Sequence, residues 1–333
     1  METIRSIDAA DAGKTGSAIQ ASRRFYENRV APMIKDRFPQ FEDRIAAGIA
    51  GEGSDCFGYD DYMSRDHDFG TGVCLWLTDD DMREYGSDLQ EAYDALYEAV
   101  LEENPEAGIT DRLRERRGVM TVHDFYSDIL GIDCDTDSCA ISDEDWKKLE
   151  HSCLATAVNG EVFRDDPGIF TAFRKMLLKY YPDHIWKVRI ANELHRFSSA
   201  MQVNYARCMS RGDMVAAQMC RAEGLDSAMQ LYFLMKREFP PYYKWTFRRL
   251  AQIDKAESGN AFSDLILKYS ETNCDPGAWE GKTYNADSLN TGDPLIRITE
   301  KIAAQIVKML KSRGFTRRSD PYLERYVDEV LYV

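Results

Sequence analysis

The stretch 51–70, rich in glycine and aspartate, constrains this chain more than any other part of its sequence. The small residues Gly53 and Ser54 let backbone N–H groups come close to an anion, as they do in phosphate-binding turns. Asp66 and Asp68 stand at positions i and i+2 just before a short apolar run. Carboxylates at this spacing on an extended segment point to one face, where they can offer two oxygen ligands to one Mg²⁺. The stretch therefore predicts a phosphate-binding turn beside a metal-binding pair.

The arrangement of these motifs is also that of a known superfamily. Gly53-Ser54, a spacer of eleven residues and Asp66-x-Asp68 resemble the signature of the DNA polymerase β-type nucleotidyltransferases. The longer string Gly-Ser-Asp-x-x-Gly-x-Asp-Asp-x-x-Ser-Arg-Asp-His-Asp is similar, more narrowly, to bacterial proteins of the uncharacterised DUF4037 family.

A second part of the chain carries the same resemblance. Arg211-Gly-Asp213, followed by Pro241-Tyr-Tyr-Lys-Trp245, is similar to the helical C-terminal half of the DUF4037 proteins. The resemblance extends over residues 20–250, approximately. It implies a fold and a class of reaction, and it leaves the acceptor substrate and the preferred NTP open.

The implied activity is that of an enzyme, a nucleotide- and ATP-binding transferase. It would move a nucleoside monophosphate from an NTP to a hydroxyl of a small molecule or a protein, with Mg²⁺ or Mn²⁺ as cofactor. Asp66 and Asp68 would be metal ligands and catalytic residues, while Gly53 and Ser54 would bind the phosphates. A different class of function is open on the same fold, namely a non-catalytic nucleotide-binding or regulatory protein of the toxin–antitoxin kind.

Two further site residues are expected from the resemblance. Nucleotidyltransferases often add a third carboxylate from a later strand, and Asp124 at the end of the predicted strand 118–123 is the nearest candidate. Asp124 also fits a helix N-cap, and Glu193 in the helical half is a competing source of the base. Lys244 lies in Pro-Pro-Tyr-Tyr-Lys-Trp, where a rigidly held cation could reach a triphosphate or could pair with a carboxylate.

The apolar periodicity predicts the order of the elements. Residues 17–49 have helical spacing, and a helical stripe from Phe41 to Ile49 leads into the glycine turn. Residues 69–77 then form a strand that carries Asp68, and Thr78 caps the next helix. Residues 87–101 form an amphipathic helix.

The predicted fold class is α+β. An N-terminal nucleotidyltransferase-like α/β domain with a short mixed sheet occupies residues 17–140. An all-helical C-terminal domain, a helical bundle, occupies residues 141–333, and the active site lies in the cleft between the two. The boundary is placed in the acidic loop 131–145, after which the chain is almost wholly helical.

Composition restricts partners and location. The formal charge of −15, from 57 acidic and 42 basic residues, argues against nucleic acid as a partner, since a nucleic-acid footprint needs clustered Lys and Arg. No apolar run reaches the roughly 18 residues of a membrane span. The eight cysteines show no repeated spacing, which indicates reduced thiols and a cytoplasmic location. The sequence leaves the oligomeric state open.

Overall fold

The structure, a computed structural model, describes residues 18–59, 71–103 and 116–332 of the chain. It is of the α+β class, with a small mixed sheet and many helices. The chain divides into two compact units, Met1–Lys179 and Tyr180–Val333. The sequence predicted a boundary between residues 140 and 141. The structure keeps residues after 140 in the first unit because a later strand pairs with its sheet.

The sheet of the first unit has four strands among the described residues, in the order β3-β2-β1-β4. They are β1 (Ala46–Ile49), β2 (Cys74–Leu77), β3 (Gly118–Thr121) and β4 (Glu161–Arg164). β2 and β4 run antiparallel to β1, and β3 runs parallel to β2. The end of β1 therefore lies at the same edge of the sheet as the beginnings of β2, β3 and β4. This edge is called the loop edge below.

Both faces of the sheet are covered by helices. Leu75 and Leu77 point to one face, and they pack there into an apolar cluster with residues from the helical segment 18–37 and from the helix Ser87–Glu103. Trp76 points to the other face, as the alternation of side chains along a strand requires. Its ring stacks on Phe170 at 3.7 Å and meets Phe125 edge-on at 5.5 Å.

Gly48 in β1 is the position where the sheet leaves no room for a side chain. A Cβ there would lie 2.5 Å from the backbone oxygen of Glu161 and 2.9 Å from the Trp76 ring. We expect Gly48→Ala to lower the free energy of unfolding by about 1–3 kcal/mol, the usual cost of overpacking a core. Denaturant unfolding measures the difference. Gly292→Ala is the matched control, since its Cβ would meet only the ends of flexible side chains. An equal loss of stability in both variants would contradict the conclusion that Gly48 has no room for a side chain.

The predicted helical stripe from Phe41 to Ile49 is wrong. This segment forms a short 3₁₀ helix, Glu42–Arg44, and then strand β1. All four residues of β1 are buried, because the strand is central in the sheet and covered on both faces. Such a strand is apolar throughout rather than alternating, so its spacing does not distinguish it from a buried helix.

Other predictions for the first unit agree with the structure. The Thr78 side chain accepts a hydrogen bond from the Asp81 N–H and so caps the helix that begins at Asp79. The amphipathic helix is found as Ser87–Glu103, and the next strand as β3. The strand predicted over residues 69–77 is shorter in the structure. β2 begins at Cys74, residues 71–73 precede it without forming a strand, and residues 60–70 lie outside the described part of the chain.

The helices described in the first unit are, in chain order, α1 (Ala18–Phe25), α2 (Ala31–Arg37), α3 (Asp79–Asp81), α4 (Ser87–Glu103), α5 (Val122–Leu130), α6 (Asp143–Lys148), α7 (His151–Ala157) and α8 (Ile169–Leu178). Two π-helical turns, Tyr26–Val30 and Met82–Gly86, join α1 to α2 and α3 to α4. The sequence did not predict β4 between α7 and α8. All four residues of this edge strand are partly exposed, so it lacks the apolar run that would mark a buried strand.

All regular secondary structure described in the second unit is helical. The sequence predicted an all-helical domain over residues 141–333, and β4 is the strand that contradicts it. The helices of the second unit are α9 (Asp183–Phe197), α10 (Tyr205–Ser210), α11 (Met214–Lys236), α12 (Tyr243–Ser258), α13 (Ser263–Glu271), α14 (Pro294–Ser312) and α15 (Val327–Tyr332). A π-helical segment, Ser198–Asn204, joins α9 to α10, and 3₁₀ turns lie at Pro276–Trp279 and Leu323–Tyr326.

Buried carboxylates tie the loops of this second unit to its helices. Asp293 accepts hydrogen bonds from the Tyr205 hydroxyl at 2.8 Å and from the Trp279 indole N–H at 2.7 Å. Asp254 accepts from the backbone N–H groups of Phe262 and Ser263 and so holds the start of α13. Both carboxylates are used by the fold, because burial of a charge is tolerated only where hydrogen bonds satisfy it.

Two global expectations can be compared with the structure. All eight cysteines are free thiols, as the irregular spacing indicated. In residues 18–59, 71–103 and 116–332, no helix has the length and apolar content needed to cross a membrane.

Candidate functional site

The loop after β1, residues 51–59 and here called the Gly-Ser loop, lies at the loop edge of the sheet. The residues that precede β2 are held at the same edge by hydrogen bonds. The Tyr97 hydroxyl donates to the Thr71 carbonyl at 2.8 Å, and the Val73 N–H donates to the Tyr93 hydroxyl at 3.0 Å. The chain therefore leaves β1 and enters β2 at one edge, where the predicted phosphate turn stands.

A buried ion pair fixes the loop from below. The Arg117 guanidinium, just before β3, donates to the Asp55 carboxylate at 2.8 Å, and their side chains are only 2% and 1% exposed. Asp55 also accepts from the Cys56 N–H at 2.9 Å. A second nitrogen of the guanidinium donates to the Arg116 carbonyl at 3.0 Å. Since removing one member of a buried pair leaves the other charge without compensation, this pair ties the loop to the segment before β3.

The turn before β4 clamps the loop from the side. The Asn159 amide donates to the Gly51 carbonyl at 2.7 Å and accepts from the Gly51 N–H at 2.9 Å. The Gly160 N–H donates to the Cys56 carbonyl at 2.9 Å. Arg174 of α8 in turn donates to the Val158 carbonyl at 2.7 Å. The Gly-Ser loop is thus attached to the segments that open both β3 and β4.

Gly53 occupies a place in the loop that a side chain could not take. Its φ of +119° lies in the region that favours glycine, and a Cβ there would come within 2.2 Å of the Asp55 carboxylate oxygen. The absence of a side chain lets the backbone turn tightly above the ion pair. The Asp55 carboxylate fills the space that a side chain at this position would need.

The donors at the top of the turn have no partner within the described structure. Among residues 18–59, 71–103 and 116–332, no group accepts a hydrogen bond from the backbone N–H of Gly53 or of Ser54, and the Ser54 hydroxyl makes none. Both residues are partly exposed. The Ser54 carbonyl accepts from the Tyr59 N–H at 2.8 Å, which closes the loop and holds these donors in place. Uncommitted backbone N–H groups in a turn are the kind of donor that anion-binding turns use.

A second, more exposed ion pair links the Gly-Ser loop to the segment before β3. The Arg116 guanidinium lies 2.5 Å from the carboxylate of Glu52, and their side chains are 17% and 64% exposed. Arg116 therefore brings a positive charge to the loop edge, next to the turn that carries Gly53 and Ser54.

Two buried cysteines lie at this edge, Cys56 in the Gly-Ser loop and Cys74 at the start of β2. Burial raises the pKa of the Cys56 thiol far above its usual range, although the nearby Arg117 opposes the change. Burial raises the pKa of Cys74 as well. Because the thiolate is the reactive form of cysteine, this direction disfavours reactivity. Both thiols have structural partners instead: the Cys56 thiol donates to the Glu52 carbonyl at 3.6 Å, and the Cys74 thiol donates to the Arg116 carbonyl at 3.4 Å.

The structure describes the predicted third carboxylate, Asp124, but not the predicted metal pair. Asp66 and Asp68 lie outside the described residues. Asp124 lies in the first turn of α5, where its N–H donates to the Thr121 hydroxyl at 2.8 Å. Thr121 ends β3, so Asp124 lies at the edge of the sheet opposite Gly53 and Ser54. The N-cap itself is Thr121, and the structure does not bring Asp124 to the phosphate turn.

The two candidates from the helical half belong to the second unit. Glu193 lies within α9, where burial raises the pKa of its carboxyl against the opposing charge of Arg196, whose guanidinium is 3.2 Å away. Lys244 is exposed in the first turn of α12, with its ammonium 5.3 Å from the centre of the Trp245 ring. Within the described residues no carboxylate pairs with Lys244. The functional roles of both remain predictions.

Sequence reasoning missed the residues that hold the turn. Asp55 directly follows Gly53-Ser54. Its position within the string that resembles the DUF4037 proteins was a signal that it has a structural role rather than being an exposed surface acid. Arg117 and Asn159 stand 62 and 108 residues away from their partners in the loop. No local pattern reveals pairs at such separations, because they form only when the strands pair.

Comparison with known proteins gives a match for one part of the chain. No curated protein and no solved structure matches the chain. Among the described residues, no group of three or more His, Cys, Asp and Glu is placed to hold a metal ion. Residues 146–246, which include Glu193 and Lys244 but not the Gly-Ser loop, match the model of a family described as a domain of unknown function, DUF4037.

Proposed function

We propose that the first unit binds the phosphates of an NTP at the Gly-Ser loop and that the chain transfers a nucleoside monophosphate to a hydroxyl acceptor. The observation that carries this proposal is the pair of uncommitted N–H groups on Gly53 and Ser54, held rigidly by Asp55, Arg117 and Asn159. The Ser54 hydroxyl adds a third donor. Preorganised donors of this kind bind phosphate oxygens without the cost of ordering the loop on binding.

A metal ion belongs to this proposal through Asp66 and Asp68. Their carboxylates are the hard oxygen donors that Mg²⁺ takes, together with substrate phosphate, and Thr71, three residues after Asp68, lies at the loop edge. Bound there, Mg²⁺ or Mn²⁺ would neutralise charge on the phosphates. The protein's own share is to hold the phosphate chain through Gly53 and Ser54. The acceptor, a small molecule or a protein, stays open.

The first test is direct binding and turnover. Isothermal titration with Mg·ATP and Mg·GTP, beside an assay for pyrophosphate release, measures both parts of the proposal. Binding with release supports a nucleotidyltransferase. If neither nucleotide binds at millimolar concentration, the proposal is wrong.

The hydroxyl of Ser54 provides a sharper test of where the phosphates lie. We expect Ser54→Ala to weaken binding of ATP more than that of AMP, since the hydroxyl is placed for the distal phosphates. Loss of one hydrogen bond to a charged group costs about 1.5–3 kcal/mol, or roughly tenfold to a hundredfold in affinity. Equal losses for ATP and AMP, measured by the same titration, would argue against this placement. Ser270→Ala, which removes an exposed hydroxyl from α13 in the second unit, is the control.

The position of Asp124 favours a second candidate, a protein that binds a nucleotide without turning it over. Three described carboxylates at the loop edge are paired with an arginine: Glu52 with Arg116, Asp55 with Arg117 and Glu161 with Arg23. None of them is therefore ready to accept a proton from an acceptor hydroxyl. Binding of Mg·NTP without pyrophosphate release would select this candidate, which fits a regulatory role.

A further inference from the structure

We infer that Arg116 is a phosphate ligand of the Gly-Ser loop and that Glu52 competes with the phosphate for it. This inference rests on the proposed function, because it concerns the same loop, and it names the ligand class as the polyphosphate end of the substrate. It also gives the first unit a positively charged side chain for phosphate binding, separate from the predicted role of Lys244.

The backbone path explains why Arg116 stands at this place. The Arg116 carbonyl accepts from the Arg117 guanidinium at 3.0 Å and from the Cys74 thiol at 3.4 Å. These contacts fix the main chain just before β3, next to the start of β2. The Arg116 side chain then extends to Glu52, which directly precedes Gly53 in the loop. A guanidinium and two N–H donors thus lie around one turn.

The chemistry of the three groups fits a phosphate better than a carboxylate. Backbone N–H groups and a guanidinium are all donors. A guanidinium can pair with two oxygens of either a carboxylate or a phosphate, but a terminal phosphate has a third oxygen left for the N–H groups. Glu52 pairs with the arginine but accepts from neither the Gly53 nor the Ser54 N–H, and both of these donors lack a partner in the described structure. A phosphate in the turn satisfies all three, and it displaces a carboxylate whose side chain is 64% exposed.

Substitutions of Arg116 and of Glu52 should therefore change the affinity for a polyphosphate in opposite directions. The probe is inorganic tripolyphosphate, titrated calorimetrically without metal ions at low ionic strength. We expect Arg116→Gln to weaken its binding by about tenfold or more, the usual effect of losing a charge-assisted hydrogen bond. We expect Glu52→Gln to strengthen it by roughly twofold to fivefold, since a competing and repelling charge is removed from a largely exposed site.

The pair of variants separates this role from a structural one. Both substitutions break the same ion pair, so a salt bridge that only supports the loop would make both variants weaker binders. Arg116→Lys, which keeps the charge but loses the planar fork, should lie between the parent and Arg116→Gln. Arg83→Gln is the matched control, because Arg83 pairs with Asp80 in α3, beyond the far end of β2. Melting curves confirm that each variant is folded.

The outcomes distinguish this inference from the proposed function. Opposite shifts for Arg116→Gln and Glu52→Gln support the inference, even if no nucleotidyl transfer is found. Losses in both variants, or no change in either, overturn it while transfer activity is judged separately. A parent protein that does not bind tripolyphosphate also overturns it. An equal loss in Arg83→Gln would show that only the overall charge of the protein is being measured.

Discussion

Replacing Arg117 with methionine is expected to lower the free energy of unfolding by about 3–5 kcal/mol, the usual cost of removing one member of a buried ion pair. Methionine fills much of the volume of the arginine stem, so the loss comes mainly from Asp55. This carboxylate is 1% exposed and would be left with the Cys56 N–H as its described hydrogen-bond donor. Urea or guanidinium unfolding followed by circular dichroism measures the change.

The double variant tests whether the two charges act as a pair. We expect Asp55→Asn/Arg117→Met to be less destabilised than the sum of its single variants, since neither buried charge is then left alone. The amide oxygen of the introduced asparagine would still accept from the Cys56 N–H. Arg83→Met, which breaks an exposed pair, should change stability little. Additive losses in the double variant would contradict the argument, because they would show that the two residues stabilise the fold independently.

The second large effect is expected at the carboxylate pair. Asp66→Asn and Asp68→Asn should each abolish Mg²⁺-dependent NTP binding or turnover while the protein stays folded. Asparagine keeps the size of the side chain but removes the charge that Mg²⁺ requires. Titration with Mg·ATP, repeated with excess EDTA, separates the metal-dependent part of the binding from the part that the Gly-Ser loop provides.

The control for this experiment is a carboxylate of the same type at the far end of β2. Asp80 is exposed in α3, the helix that follows this end of the strand, and Asp80→Asn should bind Mg·ATP like the parent. If Asp66→Asn and Asp68→Asn both keep the parent's Mg²⁺-dependent affinity, with unchanged circular dichroism, the proposed metal pair is wrong. The phosphate turn would then have to be judged by the Ser54 and Arg116 variants alone.

Local sequence signals determined much of the first unit. Thr78 followed by three aspartates indicated a helix start, because a hydroxyl can accept from the first free N–H groups and acids suit a helix N-terminus. The apolar stripe of α4 and the β-branched run of β3 were long or distinctive enough to be recognised. Gly53-Ser54 indicated a tight turn with accessible N–H groups. Each of these is a property of a few neighbouring residues, so no information about the rest of the chain was needed.

Tertiary structure alone decided what the turn is attached to and which carboxylate lies near it. The segment 46–49 is a strand rather than the end of a helix because it is sandwiched between β2 and β4, and its apolar residues suit either form. Asp124 follows β3 as expected. However, the parallel pairing of β3 with β2 places it at the edge of the sheet away from the Gly-Ser loop. Asp55 and Arg117 form their pair across 62 residues. Direction and pairing of strands are long-range properties, fixed by the packing of the whole sheet, and composition or periodicity does not encode them locally.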